Sequence, residues 1–214
     1  MKSPLRTLAR RLLQALDLFS SHLLRADSYL QVRGWFRSFR EGKAVDASGA
    51  ALPWMTYAAI EFLEERAGRG LRVFEFGAGG STLWWAARVH AVVSCELDRG
   101  WYQSLSQIAP ANVQLVHAEP GVAYAEQVSR WPEKFDLIVI DAEERVACAR
   151  RAVAALRPGG VIVWDNSERE ADAEGYAHLL SLGFKELRFS GMGPINPYGW
   201  RTSIFYRAEN CLGL

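Results

Sequence analysis

From residue 71 onward, short runs of apolar residues alternate with longer stretches of helical spacing. This alternation is typical of a parallel sheet whose strands are joined by helices. The runs are apolar on both faces of each strand, as expected where helices cover both sides of a sheet. The central strands are predicted at residues 71–76, 91–96, 113–117, 135–141 and 160–164.

Two further strands are predicted at residues 185–189 and 202–206. The segment between them is rich in glycine and proline and has no helical spacing. A parallel neighbour would need a crossover connection, so we expect the last strand to be antiparallel. The pattern therefore predicts an α/β fold with a Rossmann-like, doubly wound sheet of seven strands, mostly parallel with an antiparallel last strand.

The N-terminal part of the chain has a different pattern. Apolar residues follow helical spacing over residues 5–24, with arginines between them, which indicates a basic amphipathic helix. Such a helix packs on protein, as a cap or at a homodimer seam, or adheres to an anionic membrane or an acidic partner. Glycine and proline interrupt the helical spacing at residues 41–53. We expect a helical extension over residues 1–52 and one α/β domain over residues 53–214.

The composition is that of a folded chain with a real core. Half of the 214 residues are hydrophobic and the formal net charge is +1. No apolar run reaches the roughly 18 residues that span a bilayer, and the pattern of a secretory signal is absent from the sequence. The three cysteines lack metal-type spacing and suit reduced thiols. We expect a cytoplasmic protein, with peripheral membrane contact through the N-terminal helix as an open alternative.

Charge is distributed unevenly, which bears on nucleic-acid binding. Residues 1–43 carry nine Lys+Arg against three Asp+Glu, a net +6, and the remainder carries sixteen against twenty-one, a net −5. Residues 31–40 mix arginines with aromatic residues, which could form a stacking and phosphate-binding surface. The acidic remainder would repel a polyanion. We therefore favour a small-molecule substrate over nucleic acid.

The candidate chemistry begins where the first strand ends. Residues 75–82, EFGAGGST, place glycines where the chain turns from strand to helix and where a ligand can approach the backbone. A tight turn without a ligand is the alternative. Thr82 stands where the dinucleotide motif G-x-G-x-x-G has its last glycine, which disfavours a nicotinamide cofactor.

Carboxylates collect at the same edge of the predicted sheet. Glu96 ends the second strand, about 20 residues past the turn, where a carboxylate can hold both hydroxyls of a ribose. Glu75, Glu119 and Asp141 also fall at or near the carboxyl ends of strands. Together they would repel a pyrophosphate, but they would suit a cofactor with a cationic centre, a ribose and an exocyclic amine.

In combination, these motifs resemble those of the class I S-adenosylmethionine-dependent methyltransferases over roughly residues 71–207. The segments VFEFGAGGSTLWWAA, VVSCELD, VQLVHAEP, FDLIVIDA and ALRPGGVIVWDN look like successive motifs of that family. The resemblance implies a seven-stranded sheet with an antiparallel last strand and S-adenosyl-L-methionine as cofactor. It further implies that Gly77, Gly79 and Ser81 line the methionine part, Glu75 lies near its amine, Glu96 holds the ribose, Leu97 touches the adenine ring and Glu119 holds the adenine amine.

Asp141, Asp165 and Asn166 resemble the metal triad of catechol- and caffeoyl-CoA-type O-methyltransferases, in which a divalent cation aligns and acidifies a hydroxyl. Oxygen ligands would suit magnesium or calcium. However, Glu144 stands where that family has its catalytic lysine. We therefore favour catalysis without a metal, in which the base is a carboxylate among Asp141, Glu143, Glu144 and Asp165.

Substrate contacts are expected from two places. Asn166, after the fifth strand, would orient the substrate or cap the next helix. In the loop over residues 190–201, Asn196, Tyr198 and Trp200 offer polar and aromatic contacts, unless the loop only covers the sheet edge. We expect methylation of a small-molecule hydroxyl. The alternatives are a nicotinamide-dependent oxidoreductase and a non-catalytic cofactor-binding or interaction module.

Overall fold

A computed structural model of the protein describes residues 25–214, so the amphipathic helix predicted over residues 5–24 lies outside the described residues. The described part contains seven strands and eight α-helices. The strands are β1 (Arg72–Phe76), β2 (Ala91–Glu96), β3 (Val113–His117), β4 (Phe135–Ile140), β5 (Leu156–Asp165), β6 (Lys185–Gly191) and β7 (Trp200–Tyr206). The helices are α1 (Tyr29–Val32), α2 (Trp35–Glu41), α3 (Tyr57–Arg66), α4 (Gly80–Ala86), α5 (Arg99–Ser106), α6 (Val122–Ala125), α7 (Arg145–Ala155) and α8 (Ala173–Ser181), with 3₁₀ turns at Glu126–Arg130 and Glu170–Asp172.

The strands form one sheet in the order β3-β2-β1-β4-β5-β7-β6. The strands β1 to β5 pair in parallel, whereas β7 runs antiparallel to both β5 and β6. This confirms the predicted fold class, including the antiparallel last strand. The strand β5 begins at Leu156, earlier than predicted, because Leu156 pairs with Phe135 before the register shifts at Leu137.

The core lies on both faces of the sheet, as the apolar runs predict. Along β4, Leu137 and Val139 belong to one cluster of buried side chains, and Ile138 and Ile140 belong to the other. Successive side chains of a strand point to opposite faces, so helices must cover both. Trp85, from the helix that follows the glycine turn, is fully buried in the cluster of Leu137. The carboxyl ends of the strands are therefore held on a rigid platform.

The described part of the N-terminal extension places a loop against the α/β domain. Asp46 Oδ1 accepts hydrogen bonds from the backbone N–H groups of residues 48–50, at 2.8–2.9 Å, which closes the loop predicted at residues 41–53. The carbonyl of Leu52 then lies so close to Gly80 that a Cβ there would be 2.7 Å from its oxygen. The loop therefore packs beside the start of α4.

The segment at the predicted domain boundary is part of the core. Met55 and Tyr57 are buried, and the Thr56 N–H donates to Thr202 Oγ1 at 3.1 Å. The Tyr57 N–H donates to the Met192 carbonyl at 2.8 Å. The chain thus enters the domain through contacts with β7 and the β6–β7 loop, and the division at residue 52 stays a prediction. Within residues 25–214, no helix has the length and apolar character needed to cross a membrane.

Candidate functional site

Two glycines in the turn after β1 play different parts. Gly77 has a φ of +93°, and a Cβ on it would come closer than 3.0 Å to the Asp141 carbonyl oxygen. Gly79 has extended backbone, and a Cβ on it would meet nothing nearer than the Trp101 indole nitrogen, at 3.8 Å. Gly77 is therefore required by the packing of β1 on β4. Gly79 has no such requirement, and it leaves room above the turn for a ligand.

Glu75 lies on β1 and is fully buried. Its Oε2 accepts hydrogen bonds from the hydroxyls of Thr82 and Ser94, each at 2.7 Å. Its Oε1 is buried and has no hydrogen-bond partner of normal geometry within the described residues, although the nearby Ser81 hydroxyl also lowers the pKa of Glu75. Burial raises the pKa of Glu75 to about 7, and the hydroxyl donors offset this only in part. A buried carboxyl oxygen with unmet capacity suits the positively charged amine that the resemblance implies.

Thr82 explains the departure from the dinucleotide motif. Its hydroxyl donates to Glu75 and accepts a hydrogen bond from the Gly79 N–H at 3.0 Å. A glycine at this position would leave both groups without these bonds. The sequence interpretation treated Thr82 only as a missing glycine, whereas the structure shows that it ties the turn to the buried carboxyl.

Glu96 lies at the end of β2 and bridges this strand to the glycine turn. One carboxylate oxygen accepts from the N–H groups of Leu97 and Asp98 at 2.9 and 2.7 Å, and the other accepts from the Ala78 N–H at 2.9 Å. A carboxylate offers about four acceptor positions. Three are used, so a ribose that donates two hydroxyls must share or displace one backbone donor. The predicted ribose contact therefore requires a small local adjustment.

Trp101 is a residue of this region that the sequence interpretation missed. Asp98 caps α5 by accepting from the Trp101 N–H at 2.6 Å, which orients the first turn of the helix. The indole N–H then donates to the Ala78 carbonyl at 2.6 Å, although the side chain is 50% exposed. A half-exposed tryptophan beside Gly79 provides an aromatic wall next to the open turn. Its only sequence signal was its position shortly after an acidic strand end.

The predicted adenine contacts lie on the neighbouring strands. Leu97 is partly buried and packs against the core cluster of Ile138. Glu119 follows β3 and is exposed, and the preceding Ala118 donates its N–H to the Glu96 carbonyl at 3.0 Å. The structure thus places both residues near the strand end that holds Glu96, and their contacts with adenine stay a prediction.

Arg145 occupies the space between the ends of β4 and β5. Its guanidinium donates to Asp141 Oδ1 at 3.2 Å and to Asn166 Oδ1 at 3.1 Å. It also donates to the backbone carbonyls of Ala142 and Asp165. Burial raises the pKa of Asp141, and the charge of Arg145 opposes that rise. Two of the three residues that resemble a metal triad are therefore already bound to a fixed cation.

Asp165 is the most enclosed of the predicted catalytic residues, at 2% exposure. Its carboxylate accepts from the Trp200 indole N–H at 3.0 Å and from the Thr202 hydroxyl at 2.5 Å. Burial, reinforced by the nearby charge of Asp141, raises the pKa of Asp165 well above its ordinary value. A base must reach the proton that it removes, and Asp165 lacks that access here. The indole N–H predicted to contact substrate is likewise engaged, by Asp165.

The β6–β7 loop connects to the N-terminal extension. The Asn196 carbonyl accepts a hydrogen bond from the Trp35 indole at 2.9 Å. A Cβ on Gly193 would come closer than 3.0 Å to the Met55 carbonyl oxygen, so the loop packs tightly there. Tyr198 is 62% exposed, and its ring meets the edge of Trp200. Of the loop residues predicted to bind substrate, Tyr198 is the one with a largely exposed side chain.

Glu144 lies at the residue before α7 and is half-buried, whereas Glu143 is exposed. Both follow Asp141 closely in the chain, so all three carboxylates lie just after β4. Among residues 25–214, no group of three or more His, Cys, Asp and Glu side chains is arranged to hold a metal ion. The oxygens of Asp141 and Asn166 fit a bound metal poorly because the guanidinium of Arg145 already lies between them.

A separate cleft of about 500 Å³ opens at the other edge of the sheet. Its lining comes from the amino-terminal ends of strands. Ligands of open α/β sheets bind outside the carboxyl ends of the strands, so we do not assign the cofactor to this cleft. The lining residues are Gly70, Arg72, His90, Glu133, Lys134 and Arg157.

No protein-family model and no curated protein match the sequence. Solved structures do match the fold. Precorrin-6y C5,15-methyltransferase of Geobacter metallireducens is 14% identical with a TM-score of 0.58, over 79% of this chain and 95% of that chain. Precorrin 8W decarboxylase of Methanobacterium thermoautotrophicum is 19% identical with a TM-score of 0.55, over 78% and 97%. Aeropyrum pernix fibrillarin, solved with bound S-adenosyl-L-methionine, is 15% identical with a TM-score of 0.51, over 66% and 67%.

At identities of 14–19%, these similarities describe the fold and not the activity. The chain has the class I S-adenosylmethionine-dependent methyltransferase fold, which confirms the resemblance drawn from its motifs.

Proposed function

We propose that this protein is an S-adenosylmethionine-dependent methyltransferase that methylates a hydroxyl group of a small-molecule acceptor. The observation that carries the cofactor assignment is the pair of carboxylates, Glu75 and Glu96, beside the open turn at Gly79. S-adenosylmethionine joins a sulfonium, an ammonium and a ribose diol, and carboxylates complement all three. The pyrophosphate of a nicotinamide cofactor would instead be repelled by this edge.

The other predicted cofactor contacts extend from this turn. Ser81 lies in the first turn of α4, beside the methionine part in this proposal. Leu97 lies next to Glu96 and would pack on the adenine ring, while Glu119 on the neighbouring strand end would accept from the adenine amine. When bound, S-adenosylmethionine supplies an electrophilic methyl group on a positively charged sulfur.

Asp141 is the base that the geometry supports best. Its carboxylate directly follows β4, next to the glycine turn, and is 38% exposed. A substrate hydroxyl can therefore reach this carboxylate, which is the first requirement of a general base. We expect Asp141 to take the proton of the acceptor hydroxyl while the oxygen attacks the methyl carbon in line with the departing sulfur. Glu144, on the same segment, is the next candidate.

The charge of the edge supports a small acceptor. Glu75, Glu96, Glu119 and Asp141 all lie at or near the carboxyl ends of the first four strands. Burial raises the pKa of Glu75 and Asp141, so Glu96 and Glu119 carry the more persistent negative charge. Such an edge attracts the cationic cofactor and disfavours a polyanion such as nucleic acid. Arg145 is largely engaged inside the protein, so it offers little charge to an incoming phosphate.

Calorimetry with S-adenosylmethionine, S-adenosylhomocysteine and NADH in parallel tests the cofactor. We expect both adenosyl compounds to bind and NADH to give no binding heat. Binding of NADH alone would overturn the proposal. Asp141→Asn should keep affinity for S-adenosylhomocysteine while methyl transfer to an identified acceptor falls. Undiminished methyl transfer by Asp141→Asn would instead indicate that Glu144 is the base.

A further inference from the structure

Arg145 is a buried arginine at a position where helix formation does not favour a cation. It is the first residue of α7, where the positive end of the helix dipole disfavours a cation. Its side chain is only 7% exposed. Burying a guanidinium is unfavourable unless acceptors surround it. Its position must therefore be explained by what it binds.

The guanidinium binds oxygens from two adjacent strand ends. Asp141 and Ala142 follow β4, while Asp165 and Asn166 lie at the end of β5. From Arg145, Nη2 donates to the side-chain oxygens of Asp141 and Asn166, Nη1 donates to the Ala142 carbonyl, and Nε donates to the Asp165 carbonyl at 3.3 Å. Four oxygens thus surround one planar cation at the carboxyl edge.

The backbone at Asn166 agrees with this arrangement. Asn166 has a φ of 55°, a left-handed conformation that L residues other than glycine adopt infrequently and that asparagine tolerates best among them. The residue that adopts it is the one whose amide oxygen meets Arg145. The strand end is therefore shaped around the guanidinium.

We propose that Arg145 is a fixed internal cation that positions Asp141 and Asn166 for the methyl acceptor, in the place where their oxygens would otherwise bind a divalent metal ion. This proposal rests on the proposed methyl-transfer function, because the acceptor is the substrate of that reaction. It makes Arg145 a positioning residue, because the side chain is enclosed and acts through the two groups that it holds. It also makes the site independent of added metal.

Manganese(II) binding, followed by electron paramagnetic resonance, tests this directly. We expect wild-type protein to bind no Mn²⁺ through Asp141, because the guanidinium occupies that position. Arg145→Ala should gain an Mn²⁺ site that wild type lacks, because loss of the guanidinium leaves the oxygens of Asp141, Asn166, Ala142 and Asp165 without their donor. Methylguanidinium should compete with Mn²⁺ in this variant, since both cations would bind the same four oxygens. The added substitution Asp141→Asn should abolish the gained site.

Arg150→Ala is the matched control. Arg150 lies on the same helix, but its side chain is 52% exposed and it pairs with Glu174. Its removal should create no Mn²⁺ site. The four oxygens remain after the substitution whatever role the arginine has, so the gained Mn²⁺ site reports only where the cation lies. A positioning role also requires that folded Arg145→Ala lose kcat for methyl transfer to an identified acceptor while its affinity for S-adenosylhomocysteine is unchanged, and that methylguanidinium restore part of that kcat; a purely structural arginine would give lower stability without this rescue.

The outcomes separate this inference from the proposed function. A folded Arg145→Ala that gains no Mn²⁺ site would overturn the role of Arg145, even if S-adenosylhomocysteine binds. Failure of S-adenosylhomocysteine to bind wild type would overturn the proposed function and leave the Mn²⁺ result unaffected. If Arg145→Ala does not fold, the wild-type arm still decides, because Mn²⁺ bound to wild type and lost in Asp141→Asn would contradict the inference.

Discussion

The carboxyl edge of the sheet has two halves, and they differ in how completely their polar groups are hydrogen-bonded within the protein. At the ends of β1 and β2, Glu75 Oε1 has no hydrogen-bond partner within the described residues, and a Cβ on Gly79 would make only ordinary contact with Trp101. At the ends of β4 and β5, Asp165 is held by Trp200 and Thr202, while Arg145 is surrounded by acceptors. Unmet polar capacity indicates a place for a ligand, whereas a closed network indicates a preorganised support.

The two halves can therefore contribute to binding and catalysis in different ways. The first half can gain new hydrogen bonds when a cofactor arrives, because part of its acceptor capacity is unused. The second half holds its groups in place before any ligand arrives, which costs little reorganisation during the reaction. Asp141 belongs to the second half but keeps a partly exposed carboxylate, so it is the group through which the network can reach an acceptor.

The largest effect is expected where the two halves touch. Gly77→Ala should lower the free energy of unfolding by about 3 kcal/mol or more, because its Cβ would clash with the Asp141 carbonyl in a left-handed backbone. Gly79→Ala is the matched change, with extended backbone and no close neighbour. It should keep stability but weaken binding of S-adenosylhomocysteine. Urea denaturation and calorimetry measure the two effects, and equal stability losses would contradict the distinction.

The burial of Glu75 predicts that the stability of the protein depends on pH. Its pKa is about 7 in the folded state against an ordinary value of 4.5, so the folded state keeps a proton that the unfolded state loses first. The contribution of Glu75 to the free energy of unfolding should therefore be greatest below about pH 4.5. It should fall by about 3 kcal/mol as the pH rises to 7 and beyond. Glu75→Gln cannot titrate and should remove this component.

Urea denaturation from pH 4.5 to 8 checks the effect, with the wild type and Glu75→Gln measured side by side. Asp141 and Asp165 also have raised pKa values and contribute slopes of the same sign, so the difference between the two proteins isolates Glu75. Identical slopes would mean that Glu75 is not held in its protonated form by burial. Saturation with S-adenosylhomocysteine should reduce the slope if its ammonium lies near the carboxyl.

A smaller effect is expected at the ribose position. Glu96→Gln should weaken S-adenosylhomocysteine binding by about 1.5–3 kcal/mol, the range for hydrogen bonds to a charged group. The loss should fall at the lower end if the glutamine carbonyl keeps one of the backbone donors. Glu119→Gln is the companion change at an exposed position and should cost less. Unchanged affinity in a folded Glu96→Gln would remove the ribose assignment.

Much of the fold follows from patterns that are local in the chain. Strand positions, the glycine turn and the acidic end of β2 were all predicted, because the periodicity of apolar residues and the turn chemistry are properties of short segments. The antiparallel direction of β7 was predicted from the absence of a helix between the last two strands. The strand order was not predicted, because it depends on pairing between segments distant along the chain. The start of β5 differed because its register is set by pairing with Phe135, which lies in another strand.

The partners of the polar groups depend on contacts between segments that are distant along the chain. Trp35 meets the carbonyl of Asn196, 161 residues away, and Asp165 meets Trp200, 35 residues away. Asp141, Glu144, Asp165 and Trp200 could be named from the sequence as chemically capable, but their access and protonation depend on neighbours brought from other elements. The sequence determines which groups are present and where each strand ends, whereas packing decides which remain available, because burial and hydrogen bonding act between segments distant along the chain.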